Sequence, residues 1–299
     1  MHLNLFVSQK CFLYCKGCYS FSRIENFGQT LETQKIIDFL KYAYDYGIEK
    51  VTLCGGDPLV RSDIIDLLKM IKNIGYYISI DTVGTSIIRD VIKNDGTIIK
   101  QIDAKVLSEL VDEIGLPIDG SNNEIFRKFR QTDFDLLSDQ LEICDELKKY
   151  NINICINTVV HKGNLDDTKL LCDIVNKLDY IKKWQLFKYA PMGKYGVLNR
   201  EQFEISEKQF EEYKQNILNS CLRKDIVDFK GFDVRNKAYM LIDNFGNAWI
   251  PEYNKELFEN HNMVIDNRKI IGNITNQADW NGLCKILKLG GNKNETRRY

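Results

Sequence analysis

Three cysteines near the start of the chain, Cys11, Cys15 and Cys18, constrain the protein more than any other feature of its sequence. They follow an apolar run at residues 3–8 that is typical of a β-strand, and their spacing is C-x3-C-x2-C. Three thiolates are one ligand short of a closed tetrahedral zinc site or of a fully ligated [4Fe–4S] cluster. Zinc would need a fourth ligand, and no Cys or His follows nearby until Cys54. A cluster held by three sulfurs would leave one iron open to a small molecule.

The second motif is a glycine-rich turn, which follows the three cysteines after one predicted helix and one predicted strand. Apolar residues at helical spacing predict a helix over residues 31–46, and a short strand over 50–54 leads into the Gly-Gly-Asp-Pro turn at 55–58. Two glycines let the backbone approach a ligand closely, and the proline stiffens the turn. Such a turn is weak evidence alone, because most are only tight loops. Its position after the three cysteines makes it a candidate binding element.

Strands and helices then alternate along the chain. The predicted strands are residues 3–8, 50–54, 77–81, 113–120, 152–160 and 183–189. This alternation implies an α/β fold of parallel βαβ units with right-handed crossovers. In parallel barrels the reactive groups lie at the carboxyl ends of the strands, where both motifs fall. A doubly wound sheet would give the same alternation, so the topology remains open at this point.

The pattern changes in the last third of the chain. A helix over 206–220 and two strands over 239–243 and 248–250, joined as a hairpin, predict a small α+β extension. We therefore divide the chain into a core domain, residues 1–200, and an extension, residues 201–299, that covers the mouth of the core.

The composition of the chain bears on its partners and its cellular compartment. The chain has 44% hydrophobic residues, 28% charged residues and a net charge of −1, which favours neither nucleic acid nor an anionic membrane as a partner. No apolar run approaches the roughly 20 residues needed to span a bilayer, and no signal peptide is recognisable. Nine cysteines, an odd number and mostly isolated, suit a reducing compartment. We expect a cytoplasmic protein without a membrane or nucleic-acid partner.

The cysteine spacing and the 55–58 turn together resemble the radical S-adenosylmethionine (SAM) superfamily. The resemblance implies a partial (β/α)6 barrel with the small C-terminal α+β extension, and two cofactors, a [4Fe–4S] cluster and SAM. It implies an enzyme of oxidoreductase or lyase type, in which the open iron binds the amino and carboxylate groups of SAM. Reductive cleavage of SAM would give a 5′-deoxyadenosyl radical that abstracts a hydrogen atom from the substrate.

The same resemblance assigns roles to individual residues. It makes Cys11, Cys15 and Cys18 the cluster ligands, and it places Asp57 where the family usually has Glu. A polar residue near Asp119 would read the ribose, and Arg130 would hold the SAM carboxylate, since a guanidinium pairs bidentately with a carboxylate. The full set of implied SAM contacts is Tyr19, Gly55, Gly56, Asp57, Pro58, Thr82, Asp119, Ser121, Arg130 and Asn157.

Several segments carry a second resemblance: the strand at 183–187 and the helix after it, residues 239–243 followed by Gly246, and residues 156–160 in combination with a single cluster. On these segments the chain resembles viperin-like nucleotide dehydratases. That resemblance implies a nucleoside triphosphate as substrate. Cys54, Val83 and Asp57 depart from the usual Ser, Asn and Glu of those proteins. A maturase that modifies a ribosomally made peptide is an alternative, since Gly246 followed by residues 271–274 echoes the spacing of a SPASM-like fold. A non-catalytic Fe–S or zinc protein is a second alternative.

A triphosphate would need several cations or backbone donors at one mouth of the barrel. The candidates near the carboxyl ends of the predicted strands are Lys16, Arg23, Lys162, Lys188 and Lys194. We also expect an electron donor of the flavodoxin or ferredoxin type, because the cluster must be reduced for each cleavage of SAM.

Overall fold

The computed structural model describes residues 1–20, 30–92, 96–253 and 268–291. Its centre is a ten-stranded sheet. The strands in chain order are β1 His2–Ser8, β2 Tyr14–Cys15, β3 Lys50–Gly55, β4 Tyr77–Asp81, β5 Val91–Ile92, β6 Ile98–Ile99, β7 Glu113–Pro117, β8 Arg130–Gln131, β9 Asn153–Val160, β10 Lys183–Lys188, β11 Val227–Lys230, β12 Tyr239–Ile242, β13 Asn247–Trp249 and β14 Gly272–Asn273. Short pairs, β2 with β8 and β5 with β6, lie outside the main sheet.

Helices fill the crossovers between the strands. They are α1 Thr33–Asp45, α2 Ile64–Ile74, α3 Thr85–Ile88, α4 Ala104–Leu110, α5 Asn123–Phe129, α6 Leu136–Lys148, α7 Thr168–Lys177, α8 Gly193–Leu198, α9 Arg200–Phe203, α10 Glu207–Ser220, α11 Phe232–Arg235 and α12 Gln277–Gly291. Local signals fix several ends: α2 stops at Gly75, whose φ is 113°, and a Ser206–Gln209 capping box starts α10. No helix in the described ranges is long and apolar enough to cross a membrane.

The strand order settles the topology that the sequence left open. The main sheet runs β11-β10-β9-β7-β4-β3-β1-β12-β13-β14. From β1 to β11 the order follows the chain without reversal, and every neighbouring pair is parallel. A doubly wound sheet reverses its order at a switch point, so the structure is the partial barrel and the six predicted strands are confirmed.

The C-terminal strands continue this sheet at both of its edges. β11 adds in parallel to β10, and β12 adds in parallel to β1. The predicted hairpin is present as β12 and β13, and β14 extends it. The sequence analysis missed β11 and β14, which are only four and two residues long. The division at residue 200 stays a prediction.

The two faces of the sheet differ in chemistry because side chains alternate along each strand. In β1, Leu3, Leu5 and Val7 are buried in the main apolar core. The intervening positions face the barrel interior, where Phe6 packs with Cys54 in a separate small cluster. The interior is therefore the face on which polar side chains can meet a ligand.

Candidate active site at the carboxyl edge of the sheet

The three cysteines lie in one loop that leaves β1. The loop is fastened by the β2–β8 pair, in which Cys15 is opposite Arg130, and by Lys16, whose amide donates to the Phe129 carbonyl at 2.9 Å. Cys11, Cys15 and Cys18 are all half-buried and none forms a disulfide. Three reduced sulfurs are thus held on one loop at the carboxyl edge.

The turn at 55–58 touches the cysteine loop directly. The Gly56 amide donates to the Ser8 carbonyl at 2.7 Å, and the Asp57 amide donates to the Lys10 carbonyl at 2.8 Å. A Cβ on Gly56 would collide with the Lys10 carbonyl oxygen and lie 2.7 Å from the carbonyl carbon. Gly55 has a φ of 125°, a conformation that favours glycine. Both glycines are therefore needed for the backbone contact, whatever ligand the turn also binds.

The carboxylate of Asp57 is hydrogen-bonded to groups of the protein itself. It is buried and accepts hydrogen bonds from the Leu59 amide at 2.9 Å, the Thr82 hydroxyl at 2.7 Å and the Val83 amide at 2.7 Å. Burial raises the pKa of Asp57 to about 6, against the opposing effect of these hydrogen bonds. Asp57 and Thr82 thus join the ends of β3 and β4, and Pro58 begins the short helical turn between them. Their direct contact with SAM stays a prediction.

Asp119 and Arg130 are paired with each other. Asp119 is fully buried, forms an ion pair with the Arg130 guanidinium, and accepts from the Val159 amide at 2.8 Å. The other end of the guanidinium lies 4.0 Å from the Cys15 sulfur. The pair joins β8 to the strand ends beside the cysteine loop. The predicted roles, a polar residue at or near Asp119 for the ribose and Arg130 for the SAM carboxylate, stay predictions.

Two other predicted SAM contacts have partners within the protein. Ser121 bonds to Asp167 through both its amide, at 2.6 Å, and its hydroxyl, at 2.5 Å. Tyr19 packs edge-on against Phe6, with ring centroids 5.9 Å apart, and 43% of its surface is exposed. Tyr19 is the better placed of the two for a ligand, since it follows Cys18 and keeps an exposed ring face.

Asn157 finds its partner two strands away. Its amide donates to Asp81 Oδ1 at 2.9 Å, passing over β7, where Gly115 pairs with Asp81 in register. A Cβ on Gly115 would collide with Asp81 Oδ1 and lie 2.7 Å from Asn157 Nδ2. The sequence analysis named Asn157 but missed Asp81 and Gly115. A charged residue ending a strand and a glycine within an apolar one were the available signals.

Asp81 lies in an environment that disfavours its charge. Burial, together with the negative charge of Glu113, raises its pKa to about 7, and the hydrogen bond from Asn157 opposes this. Burial raises the pKa of Cys54, Cys155 and Tyr19, and the negative charge of Asp81 adds to the rise in each of them. A carboxyl with this pKa can hold or release a proton near neutrality, at the interior face of the sheet.

Two of the five predicted substrate cations are bonded within the protein. Lys188 is buried and pairs with Glu207, while Lys162 donates to the Glu201 carbonyl at 2.7 Å. Lys16 and Lys194 are half-buried on the cysteine loop and on α8. Arg23 lies outside the described residues. The substrate role of these five residues stays a prediction.

Comparison with known proteins identifies the family. The model of the radical SAM superfamily matches residues 5–173. The chain belongs to the radical SAM superfamily. An S-adenosylmethionine-dependent nucleotide dehydratase of Flammeovirga pacifica is 24% identical over 290 residues, covering 90% of this chain and 94% of that protein. A probable GTP 3′,8-cyclase of Methanococcus aeolicus is 25% identical over 216 residues, covering 69% and 67%.

Solved structures with the same fold include one bound to a precursor peptide and one bound to AdoMet. Streptococcus suis SuiB bound to its precursor peptide SuiA superposes with a TM-score of 0.65 at 13% identity, covering 95% of this chain and 66% of that one. Native anSMEcpe with bound AdoMet has a TM-score of 0.65 at 18% identity, covering 96% and 84%. At this identity the likeness establishes the fold, including the extension, and no more.

Membership confirms that the protein is an enzyme with a [4Fe–4S] cluster and SAM as cofactors. Among the described residues no three His, Cys, Asp or Glu side chains converge in a ready-made metal geometry. The donor set nevertheless fits a cluster, because the three thiols lie on one short loop, half-buried and free of disulfides. Burial, Asp57 and the neighbouring Cys15 raise the pKa of Cys11 and so disfavour its thiolate, and iron cations would offset that cost. Cys11, Cys15 and Cys18 would hold the cluster.

When bound, the reduced cluster supplies the electron that cleaves SAM. The chain's own contribution is a shell around the site. Phe129, Tyr189 and Phe203 form a buried aromatic cluster that packs against Cys15. An apolar shell limits access of water and lowers the local dielectric, which tunes the potential of a metal centre.

Gly56→Ala should separate the cysteine loop from the glycine turn. The new Cβ would meet the Lys10 carbonyl, and overpacking of this kind costs about 1–3 kcal/mol. After anaerobic reconstitution we expect less iron per chain than in the wild type and a lower unfolding midpoint. Gly282→Ala is the matched control, because a Cβ there meets nothing within 4 Å. Full iron content in Gly56→Ala would contradict this coupling.

Arg130→Ala should destabilise the protein before any cofactor binds. It leaves the Asp119 carboxylate buried without its cation, and breaking a buried pair costs about 3–5 kcal/mol. Denaturant unfolding of the iron-free protein measures this loss. The exposed Arg127→Ala serves as control. If both variants were equally stable and only Arg130→Ala lost affinity for SAM, the result would contradict this structural role and support direct binding of SAM by Arg130.

Asp81→Asn should change how stability depends on pH. Because folding raises the pKa of Asp81 from 3.8 to about 7, the folded state retains this proton, and the carboxyl destabilises the fold as pH rises between those values. The stability of Asp81→Asn relative to wild type should therefore be greater at pH 8 than at pH 5. Thermal unfolding of the iron-free proteins, with the exposed Asp166→Asn as control, tests this. An equal difference at both pH values would show that Asp81 titrates normally.

Proposed function

We propose that the protein is a nucleotide-modifying radical SAM enzyme that dehydrates a nucleoside triphosphate. A hydrogen atom is abstracted from the substrate, a hydroxyl group then leaves with a proton as water, and the electron donor reduces the resulting radical cation by one electron, so the net loss is one water. One observation carries the proposal: the similarity to a nucleotide dehydratase extends over nearly the whole of both chains. The GTP 3′,8-cyclases among the relatives also act on a nucleotide, as their name states. The radical chemistry itself comes with the family.

The interior of the barrel supports a small polar substrate. Asp81, Asn157 and Tyr19 lie on or above its inner face, and each carries groups that can bond to sugar hydroxyls or a base. Asp81 is suited to donate a proton to a departing hydroxyl, because its pKa lies near 7. An electron donor of the flavodoxin or ferredoxin type belongs to the same proposal.

The extension is compatible with a second candidate, peptide modification. The extension contains the β13–β14 pair and α12, and the likeness to the structure of SuiB covers 95% of this chain. Cys221 and Cys284 are both buried and lie on different helical segments, at the end of α10 and within α12. An extended peptide would bind by adding to a free sheet edge, whereas a nucleotide requires a cation within the barrel.

An assay with single nucleotides tests the proposal. The reconstituted enzyme is reduced with dithionite and incubated with SAM and each nucleoside triphosphate in turn, and 5′-deoxyadenosine is quantified. We expect one triphosphate to raise its formation above the rate without substrate, and a product lighter by one water by mass spectrometry. The Cys11→Ala, Cys15→Ala, Cys18→Ala triple variant should form none. Lack of stimulation by every triphosphate would remove the nucleotide assignment and leave the radical SAM assignment standing.

A further inference from the structure

Arg235 closes the open side of the partial barrel. It ends α11, in the segment that runs from β11 at one edge of the parallel sheet to β12 near the other. Its guanidinium donates to the Lys188 carbonyl at the end of β10, at 2.8 Å, and to the Tyr239 hydroxyl at the start of β12, at 3.0 Å. A third bond goes to the Tyr253 hydroxyl at 2.8 Å.

The cation of Arg235 has no carboxylate partner among the residues that the structure describes. Its hydrogen-bond acceptors are two neutral phenols and one carbonyl, and its flanks are aromatic, with Tyr253 at 4.5 Å and Phe187 at 5.5 Å from the guanidinium carbon. Five of the six other buried or partly buried arginines in the described ranges have carboxylates, and the sixth, Arg223, donates to two backbone carbonyls. The five pairs are Arg61 with Asp63, Arg89 with Asp139, Arg130 with Asp119, Arg200 with Glu204 and Arg268 with Asp243. A cation left without a counterion in such surroundings is costly.

Arg235 keeps donors for a ligand. A guanidinium has five N–H groups, and three are used in the bonds described, so two remain. The residue as a whole is only partly buried. Two N–H groups on a planar fork match the oxygens of a phosphate or carboxylate.

Contacts through the interior cluster connect Arg235 to the cysteine loop. Tyr239, which accepts a hydrogen bond from Arg235, packs against the interior cluster that contains Phe6 and Cys54. Phe6 packs edge-on against Tyr19, which directly follows Cys18, with ring centroids 5.9 Å apart. A second cation is nearby, since the Lys188 ammonium lies 4.6 Å from the Phe232 ring of α11 and its carboxylate partner, Glu207, is largely exposed.

We propose that Arg235 binds an anionic phosphate group of the substrate inside the closed side of the barrel. The inference rests on the proposed function, because it assumes that the substrate is a nucleotide. Phosphate oxygens would supply the counterion that Arg235 lacks, and binding would draw β10, α11 and β12 together through one guanidinium. The carboxylate of SAM has similar chemistry, and the experiment distinguishes the two sources.

Inorganic tripolyphosphate is the first probe, since it needs no catalytic turnover. Its affinity is measured by calorimetry for the wild type, Arg235→Gln, Arg235→Lys and the control Arg223→Gln. Arg223 also donates to two backbone carbonyls, of Leu178 and Ile181, at the opposite end of β10. We expect about tenfold or greater loss of affinity in Arg235→Gln, the effect of losing one charge-assisted bond. The loss should be smaller in Arg235→Lys and absent in Arg223→Gln.

Binding of SAM and the kinetics with the active triphosphate complete the test. We expect SAM affinity to be unchanged in Arg235→Gln and KM for the triphosphate to rise more than kcat falls. Equal tripolyphosphate affinity in the wild type and Arg235→Gln, or no binding to the wild type, would overturn the proposal. Loss of SAM affinity alone would overturn it in favour of the SAM carboxylate.

The same measurements separate this inference from the proposed function. Loss of tripolyphosphate binding in Arg235→Gln, with no triphosphate active in the wild type, would support the anion site and reject the nucleotide reaction. An active triphosphate with unchanged KM in Arg235→Gln would do the reverse. Arg235→Lys keeps the charge, so it provides a folded comparison if Arg235→Gln is unstable.

Discussion

The site depends on one backbone contact, where the turn after β3 meets the loop after β1. Two amides, of Gly56 and Asp57, donate to carbonyls of the cysteine loop. This contact is possible because Gly56 has no side chain. The Asp57 carboxylate accepts hydrogen bonds from Thr82 and Val83, and these bonds attach the turn to the end of β4. A cluster ligand loop would otherwise be a flexible connection, and here three successive strand ends hold it.

Elsewhere at this edge, polar side chains satisfy each other across strands. Asp119 pairs with Arg130, and Asp81 pairs with Asn157. Such pairs keep charged and amide groups in place at a lower free-energy cost than isolated buried groups would carry. They also place the carboxylates where catalysis at the carboxyl edge would need them.

The local parts of this arrangement could be predicted from the sequence, and the paired parts could not. The cysteine loop and the glycine turn are each contiguous, so spacing alone identifies them. The Asp119–Arg130 and Asp81–Asn157 pairs join residues 11 and 76 positions apart, and their existence depends on which strands are neighbours and in what register. Arg235 lies beyond the regular alternation, and two of its three acceptors are 47 residues before it and 18 after it. No periodicity connects them.

The bond over Gly115 links β4 to β9 without using the strand between them. A side chain at position 115 would occupy the space through which the amide of Asn157 reaches Asp81. Positions 81, 115 and 157 are therefore not independent in evolution or in design. A relative that carries a larger residue at 115 must also have shortened or replaced one of the two polar partners, so the three columns of a family alignment should change together.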